Sequence, residues 1–216
     1  MSEFWHKKQE IPAEVREAIG GMVAGEPVAR FAVGQGEELR LLKTDAKTFG
    51  RVFALNREYL YRGDYTAPVE ENDYIDSDNY LTEDGLEGFA ITKNGWLISL
   101  FSNRPGRGFS RRIRPFVLEK ANKLVCILTT DYEDCHLARM YRREYGFEAF
   151  AETVDDEQVM RRYYGDAFVD EFVRNNGIPH HIFMVRTSRP IGQVKKFEDY
   201  FAAYEYVNRE IPNGER

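Results

Sequence analysis

The chain is poor in residues that build reactive centres. It has 2 cysteines, 4 histidines and 2 tryptophans among 216 residues. Two cysteines, Cys126 in an apolar run and Cys135 near a helix start, make no disulfide framework, so the sequence points to a reducing interior. The histidines have no paired spacing except the adjacent His180 and His181, which suits no zinc site. Excess positive charge is absent too: the net charge is −6, which argues against a nonspecific nucleic-acid coat but leaves room for a local basic groove. No apolar run reaches the ~18 residues a membrane span needs, and MSEFWHKKQE lacks the apolar core of a signal peptide. These absences together predict a cytoplasmic protein with no membrane and no metal.

Aromatics are plentiful, at 14% with 15 Phe and 13 Tyr, and 43% of the chain is hydrophobic. That composition predicts a real core in one domain with appendages rather than disorder. Residues 1–38 read as an N-terminal extension, with a short helix over Pro12 to Ile19 stopped by Gly20-Gly21 and a strand over Val28 to Val33. Leu39 to Leu42 is predicted as the first core strand. Asp45 to Tyr61 is a helix capped by Thr44 or Asp45, with Phe49, Val52, Phe53, Asn56 and Leu60 on one face. Residues 62–85 form an acidic run, read as a solvated loop. It lacks the third ligand and the glycine of a calcium loop.

From Leu86 to Phe150 the signals are denser. Asn94-Gly95 lies between two β-rich runs and predicts a type I′ hairpin with positive φ at both residues. Trp96 to Phe101 is apolar on both faces, as a strand covered on both sides is. Arg104-Pro105-Gly106-Arg107-Gly108 follows. Glycines there leave main-chain amides unobstructed, and a helix beginning after them would aim its first amides at an anion. Arg104, Arg107, Arg111, Arg112 and Arg114 add positive charge. Pro115 would break that helix, so a regular helix is expected to begin with it, Phe116, Val117 and Ala121 facing inward. Leu124 to Thr130 reads as a buried strand, with Glu133 and Asp134 beyond it as candidate general bases or helix caps, and His136 as a rival base.

The motifs Asn103-Arg104-Pro105-Gly106-Arg107-Gly108 and Tyr141-Arg142-Arg143-Glu144-Tyr145-Gly146-Phe147 resemble the core of the GCN5-related N-acetyltransferase (GNAT) superfamily. That family has a Gln/Arg-x-x-Gly-x-Gly/Ala loop after a strand, and a helix ending Tyr-x-x-x-Gly-Phe. Both loop glycines match; Asn103 stands at the first position with Arg104 one place late, and Tyr141 lies one residue farther from the glycine. The resemblance implies an α/β (α+β) fold with a mixed, mostly antiparallel twisted sheet flanked by helices. The resemblance covers residues 40–153 and Ile182 to Thr187; the domain it implies spans residues 39–190 with a helical insertion near 154–178, followed by a C-terminal helix in 191–216, read as Phe197 to Ile211. It implies an acetyl-CoA-dependent N-acyltransferase acting on an amine of a small molecule or protein. Phe101, Asn103, Arg104, Gly106, Arg107, Gly108 and Phe109 would hold the cofactor. Tyr141 would donate a proton to the departing thiolate, with Glu133 the base. The alternatives are a GNAT-fold binding or structural protein without the chemistry, of a kind found in phage and mobile elements, and a nucleic-acid-modifying member using the arginines. The aromatic stripe of the last helix, Phe197, Tyr200, Phe201 and Tyr204, suits packing on this chain or a second copy, as in a homodimer.

Overall fold

Hydrophobic alternation and glycine punctuation produce a mixed α/β architecture: a mostly antiparallel open sheet with eight α-helices among the described residues. The computed structural model describes residues 10–32, 38–60, 71–104, 108–128, 135–153, 157–178 and 180–213. The chain divides into two compact units. The first comprises residues 1–93 and 98–112, the second residues 94–97 and 113–216.

In the first unit, helix α1 (Ala13–Met22) precedes strands β1 (Glu26–Ala32) and β2 (Glu38–Thr44). Helix α2 (Ala46–Arg57) and a 3-10 turn (Glu71–Tyr74) lead to β3 (Ser77–Thr82), β4 (Glu87–Thr92) and β5 (Trp96–Ser102). Strand order is β1-β2-β3-β4-β5, and the first three pairings are antiparallel. Leu39 to Leu42 is therefore not the outermost strand; β1 pairs outside it. Helix α1 runs through Gly20-Gly21 instead of stopping there. Each glycine costs about 1 kcal/mol in a helix interior, but Ile19 is fully buried, and it and Val23 close on the turn at Gly85. Strand β3 was not foreseen, because Asp78 and Asn79 are poor strand formers. Partners outside the strand offset this: Asp78 Oδ1 lies 2.6 Å from Lys43 Nζ, and Asn79 Nδ2 donates to the Tyr74 carbonyl at 3.1 Å.

Helix α2 is shorter than predicted, ending at Arg57, while Asp45 caps it by accepting from the Thr48 amide at 2.9 Å. Its inner face carries Phe49, Val52, Phe53 and the buried Asn56, as the periodicity predicted. Phe49 meets Tyr74 edge to face at 4.7 Å, and Phe53 lies 5.3 Å from Phe101. Such ring pairs contribute about 0.5–1.5 kcal/mol beyond burial. The short helix α3 (Phe109–Arg112) completes this unit.

In the second unit, the start of β5 pairs in parallel with β6 (Lys123–Leu128) at Trp96↔Lys123 and Leu97↔Leu124. Helix α4 (Arg114–Lys120) has proline in its first turn and Val117 buried, and it begins after a break at Ile113. Helix α5 (His136–Tyr145) ends on a left-handed Gly146, and β7 (Glu148–Thr153) follows. Helices α6 (Glu157–Tyr164) and α7 (Asp166–Asn176) fill the expected insertion. Strand β8 (His180–Val185) lies antiparallel between β6 and β7, and β9 (Lys195–Phe197) extends the sheet beyond β7, so β8 is not its last strand. The final helix, α8 (Tyr200–Glu210), starts three residues later than predicted: Phe197 pairs with Thr153 in the sheet, and Asp199 caps the helix at the Ala202 amide. Its inner face is Tyr200, Ala203, Tyr204 and Val207, whereas Phe201 is half exposed. The stripe packs on its own unit, with Tyr204 stacked on Trp96 at 4.7 Å.

No described helix is long and apolar enough to cross a membrane.

Candidate functional site

The site begins where β5 ends. The Asn94-Gly95 hairpin confines positive φ to Gly95 (85°), so it is not the two-residue left-handed turn predicted. A second constraint singles out that glycine: a Cβ there would lie 2.5 Å from Asn122 Oδ1. Further along β5, Ser99 adopts φ 52°, a conformation costing a non-glycine residue of order 1–3 kcal/mol. The Tyr74 hydroxyl, hydrogen-bonded to Ser99 Oγ at 2.8 Å, accompanies it. Burial pushes the Tyr74 phenol well up, so the tyrosine keeps its proton. The middle of β5, Ile98 to Leu100, is half-buried, less covered than its composition predicted.

The predicted cofactor residues divide. Phe101 is buried, its ring against Phe49 and Phe53, so its side chain serves packing. Asn103 is turned inward: its amide donates to the Leu86 carbonyl at 2.9 Å, and Nδ2 donates to Asn56 Oδ1 at 2.7 Å. Asn56 in turn donates to the Val52 and Gly85 carbonyls, both at 2.8 Å. Arg104 forms an ion pair with Asp84. Arg112, its side chain 13% exposed, faces the fully buried Glu87 at 3.7 Å, and Ser102 Oγ donates to the other Glu87 oxygen at 2.7 Å. Two of the five arginines expected to bathe an anion are thus drawn onto carboxylates of their own unit. Arg111 and Arg114 are exposed. Gly106, Arg107 and Glu133 lie outside the described residues, as does Asp134.

Gly108 is left-handed. Its φ is 69°, nothing lies within 4 Å of where a Cβ would stand, and its carbonyl accepts from the Arg111 and Arg112 amides at 3.1 and 3.2 Å. Phe109 and Ser110 therefore begin a helical turn. Phe109 itself is buried against Phe89, ring centroids 6.3 Å apart, which anchors the turn.

Tyr141 lies on α5, buried and 6.2 Å from Tyr145. Burial, then the nearby Cys126, raise its phenol well above the ordinary value, so the group stays protonated and can act only as a donor. Beside it lies a pair that residue spacing did not disclose. The influence of Cys135 and then burial push the Cys126 thiol up, and the influence of Cys126 brings Cys135 down to about 6. Cys135 occupies the N-cap of α5. The only hint was a cysteine at a helix start, where amides favour thiolate; nothing in the sequence placed Cys126 against it.

Among the described residues of the acidic run most carboxylates are paired: Glu71 with Arg51 at 2.8 Å, Asp78 with Lys43, Asp76 with Lys93, Glu83 with Arg40 at 2.7 Å, and Asp84 with Arg104. Among the described residues no group of three His, Cys, Asp or Glu side chains is arranged to hold a metal. Compared with protein-family models, with curated proteins and with solved structures, the chain finds no match.

Proposed function

We propose that the chain is a divergent GNAT-like protein that binds acetyl-CoA and transfers its acyl group to an amine. The observation carrying this reading is Gly108, left-handed at φ 69° with open space over it, placed between the strand that ends at Ser102 and the first amides of α3. The order of elements supports it: strand, glycine turn, broken helix, parallel strand, and a helix closed by Gly146 with Phe147 buried beyond it. Amides of Phe109 and Ser110 would face the pyrophosphate, assisted by Arg111. The β5 main chain before Phe101 would orient the pantetheine arm. The acceptor amine would lose its proton to a carboxylate or to water before attacking the thioester.

The test is calorimetric titration with acetyl-CoA, followed by release of free coenzyme A in the presence of simple amines. Saturable binding is expected; no heat and no thermal shift at millimolar cofactor ends the proposal. A second reading, a binding or structural protein of the same fold without the chemistry, is favoured by one observation. Asn103 and Arg104, at the head of the loop, are engaged with Asn56 and Asp84. Cofactor binding without coenzyme A release from any amine selects it. The nucleic-acid reading loses Arg112 to the buried Glu87.

A further inference from the structure

The start of β4 meets the chain on both sides of the Gly108 turn, and all the residues involved belong to the first unit. Before the turn, the Asn103 amide donates to the Leu86 carbonyl at 2.9 Å, and Ser102 Oγ donates to Glu87 Oε1 at 2.7 Å. Ser102 Oγ accepts in turn from the Arg104 amide at 3.2 Å. After the turn, Phe109 lies against Phe89, and Arg112 Nη2 stands 3.7 Å from Glu87 Oε2. One carboxylate with no exposed surface thus meets both the end of β5 and the end of α3.

Burying a carboxylate is costly unless hydrogen bonds and an opposite charge offset its lost hydration. Glu87 takes the hydrogen bond from Ser102 and the charge from Arg112. Arg112 depends on the same group. Its three guanidinium nitrogens are buried and donate no hydrogen bond, so among the described residues it is Glu87 that balances its charge. We propose that Glu87 is the positioning residue of this turn: its carboxylate holds Ser102 by a hydrogen bond and Arg112 by charge, and so fixes Ser102–Arg104 and Gly108–Arg112 against β4. Glu87 touches no cofactor. Its part in acyl transfer rests on the reading above, in which residues after Gly108 face the pyrophosphate; its hold on the turn does not.

A hydrogen bond secures one side and charge the other, so the two sides can be released separately. Site-resolved hydrogen exchange reads them through amides with defined acceptors: Asn103 on Leu86 before the turn, Arg111 and Arg112 on Gly108 after it. The Gly85 amide on Thr82 and the Lys93 amide on Asp76 report the rest of the unit. Glu87→Gln keeps an acceptor for Ser102 and removes the charge. It should lower protection at Arg111 and Arg112 by at least about 10-fold and leave Asn103, Gly85 and Lys93 within about 2-fold of wild type. Glu87→Met has similar length and no carbonyl acceptor, and should release Asn103 as well. With the carboxylate gone, Arg112 has nothing to hold, so Glu87→Gln combined with Arg112→Met should lose no more protection than Glu87→Gln alone. Protection that falls equally at every amide, that does not fall, or that falls further in the double variant overturns the proposal. The comparison within Glu87→Gln decides even where Glu87→Met does not fold.

Calorimetry with acetyl-CoA tests the consequence for binding. Glu87→Gln should bind at least about 10-fold more weakly than wild type, as the loss of a charged contact implies. Equal affinity with the Arg111 and Arg112 amides opened overturns the positioning role. A wild type that binds no acetyl-CoA ends the acyl-transfer reading instead, and hydrogen exchange then decides by itself whether Glu87 holds the turn.

Discussion

Asn56 shows how much one polar residue holds in place. It sits on the apolar stripe of α2 with no exposed surface, donates twice to main-chain carbonyls and accepts from Asn103. Replacing it with leucine supplies apolar area but takes a donor from the Gly85 carbonyl and leaves the Asn103 side-chain amide only the main-chain carbonyl of position 56, at 3.2 Å. One orphaned buried group costs about 1–3 kcal/mol, so Asn56→Leu should lower stability by that amount in urea unfolding. Asn103→Ala removes only the outer partner and should cost less, about 1 kcal/mol. The sequence showed Asn56 on the stripe, because helical period is a local property; its partner 47 positions away was invisible, because only tertiary folding sets that distance. Gly108 was legible for the opposite reason, since a glycine before a helix announces its own conformation. Gly108→Ala meets no atom within 4 Å but must hold φ 69°. It should cost ~1–2 kcal/mol of stability and weaken acetyl-CoA binding by at least 10-fold if the turn carries the pyrophosphate. Calorimetry and a thermal melt on the same sample separate the two effects.

Between elements, the clearest case is the contact of β6 with the end of α8. Lys123 is 1% exposed, and its Nζ donates to the Ile211 carbonyl at 2.9 Å, while Asn122 Nδ2 donates to the Pro212 carbonyl at 3.1 Å. Periodicity found most of the elements because it depends on residues a few positions apart; it missed β3, misplaced the start of α8 and gave no hint of a buried lysine, because those depend on partners such as Lys43, Thr153 and Ile211. Burial lowers the Lys123 pKa from the ordinary 10.5, so the folded state favours the neutral amine more than the unfolded state does. Between that lowered value and 10.5 the unfolded chain binds more protons, and stability rises with pH. Below the window the desolvation penalty is fully present. Lys123→Met lacks the group, so the stability of wild type relative to the variant should climb as pH rises toward 10.5. The neutral amine still donates to Ile211, so the climb is not offset by a lost hydrogen bond. Urea midpoints of both proteins at pH 7 and pH 10 measure it, and parallel midpoints would falsify the assignment.

At the scale of the whole chain, the division into units does not follow the order of residues: residues 94–97 belong with residues 113–216. Named hydrogen bonds and ring contacts tie these four residues into that unit. The Gly95 carbonyl accepts from the Asn122 and Lys123 amides at 3.0 and 3.1 Å. Trp96 is 2% exposed, stacks on Tyr204, meets Phe183 edge-on at 6.2 Å and donates from Nε1 to Asn208 at 3.0 Å. A segment cut at Ile113 would keep every helix of the unit and lose this one strand end. Emptying the tryptophan site costs about 3–5 kcal/mol, and the edge of β6 would lose its parallel partner. Since domains are stable by only about 5–15 kcal/mol, residues 113–216 expressed alone should fail to fold, with no near-ultraviolet dichroism and collapsed amide dispersion by NMR. The full chain carrying Trp96→Ala should fold but unfold at a lower urea midpoint, by an amount matching the 3–5 kcal/mol loss. A fragment 113–216 that melts cooperatively on its own would show that the unit's core does not need β5, and would leave Trp96 as packing rather than as the residue that fastens α8.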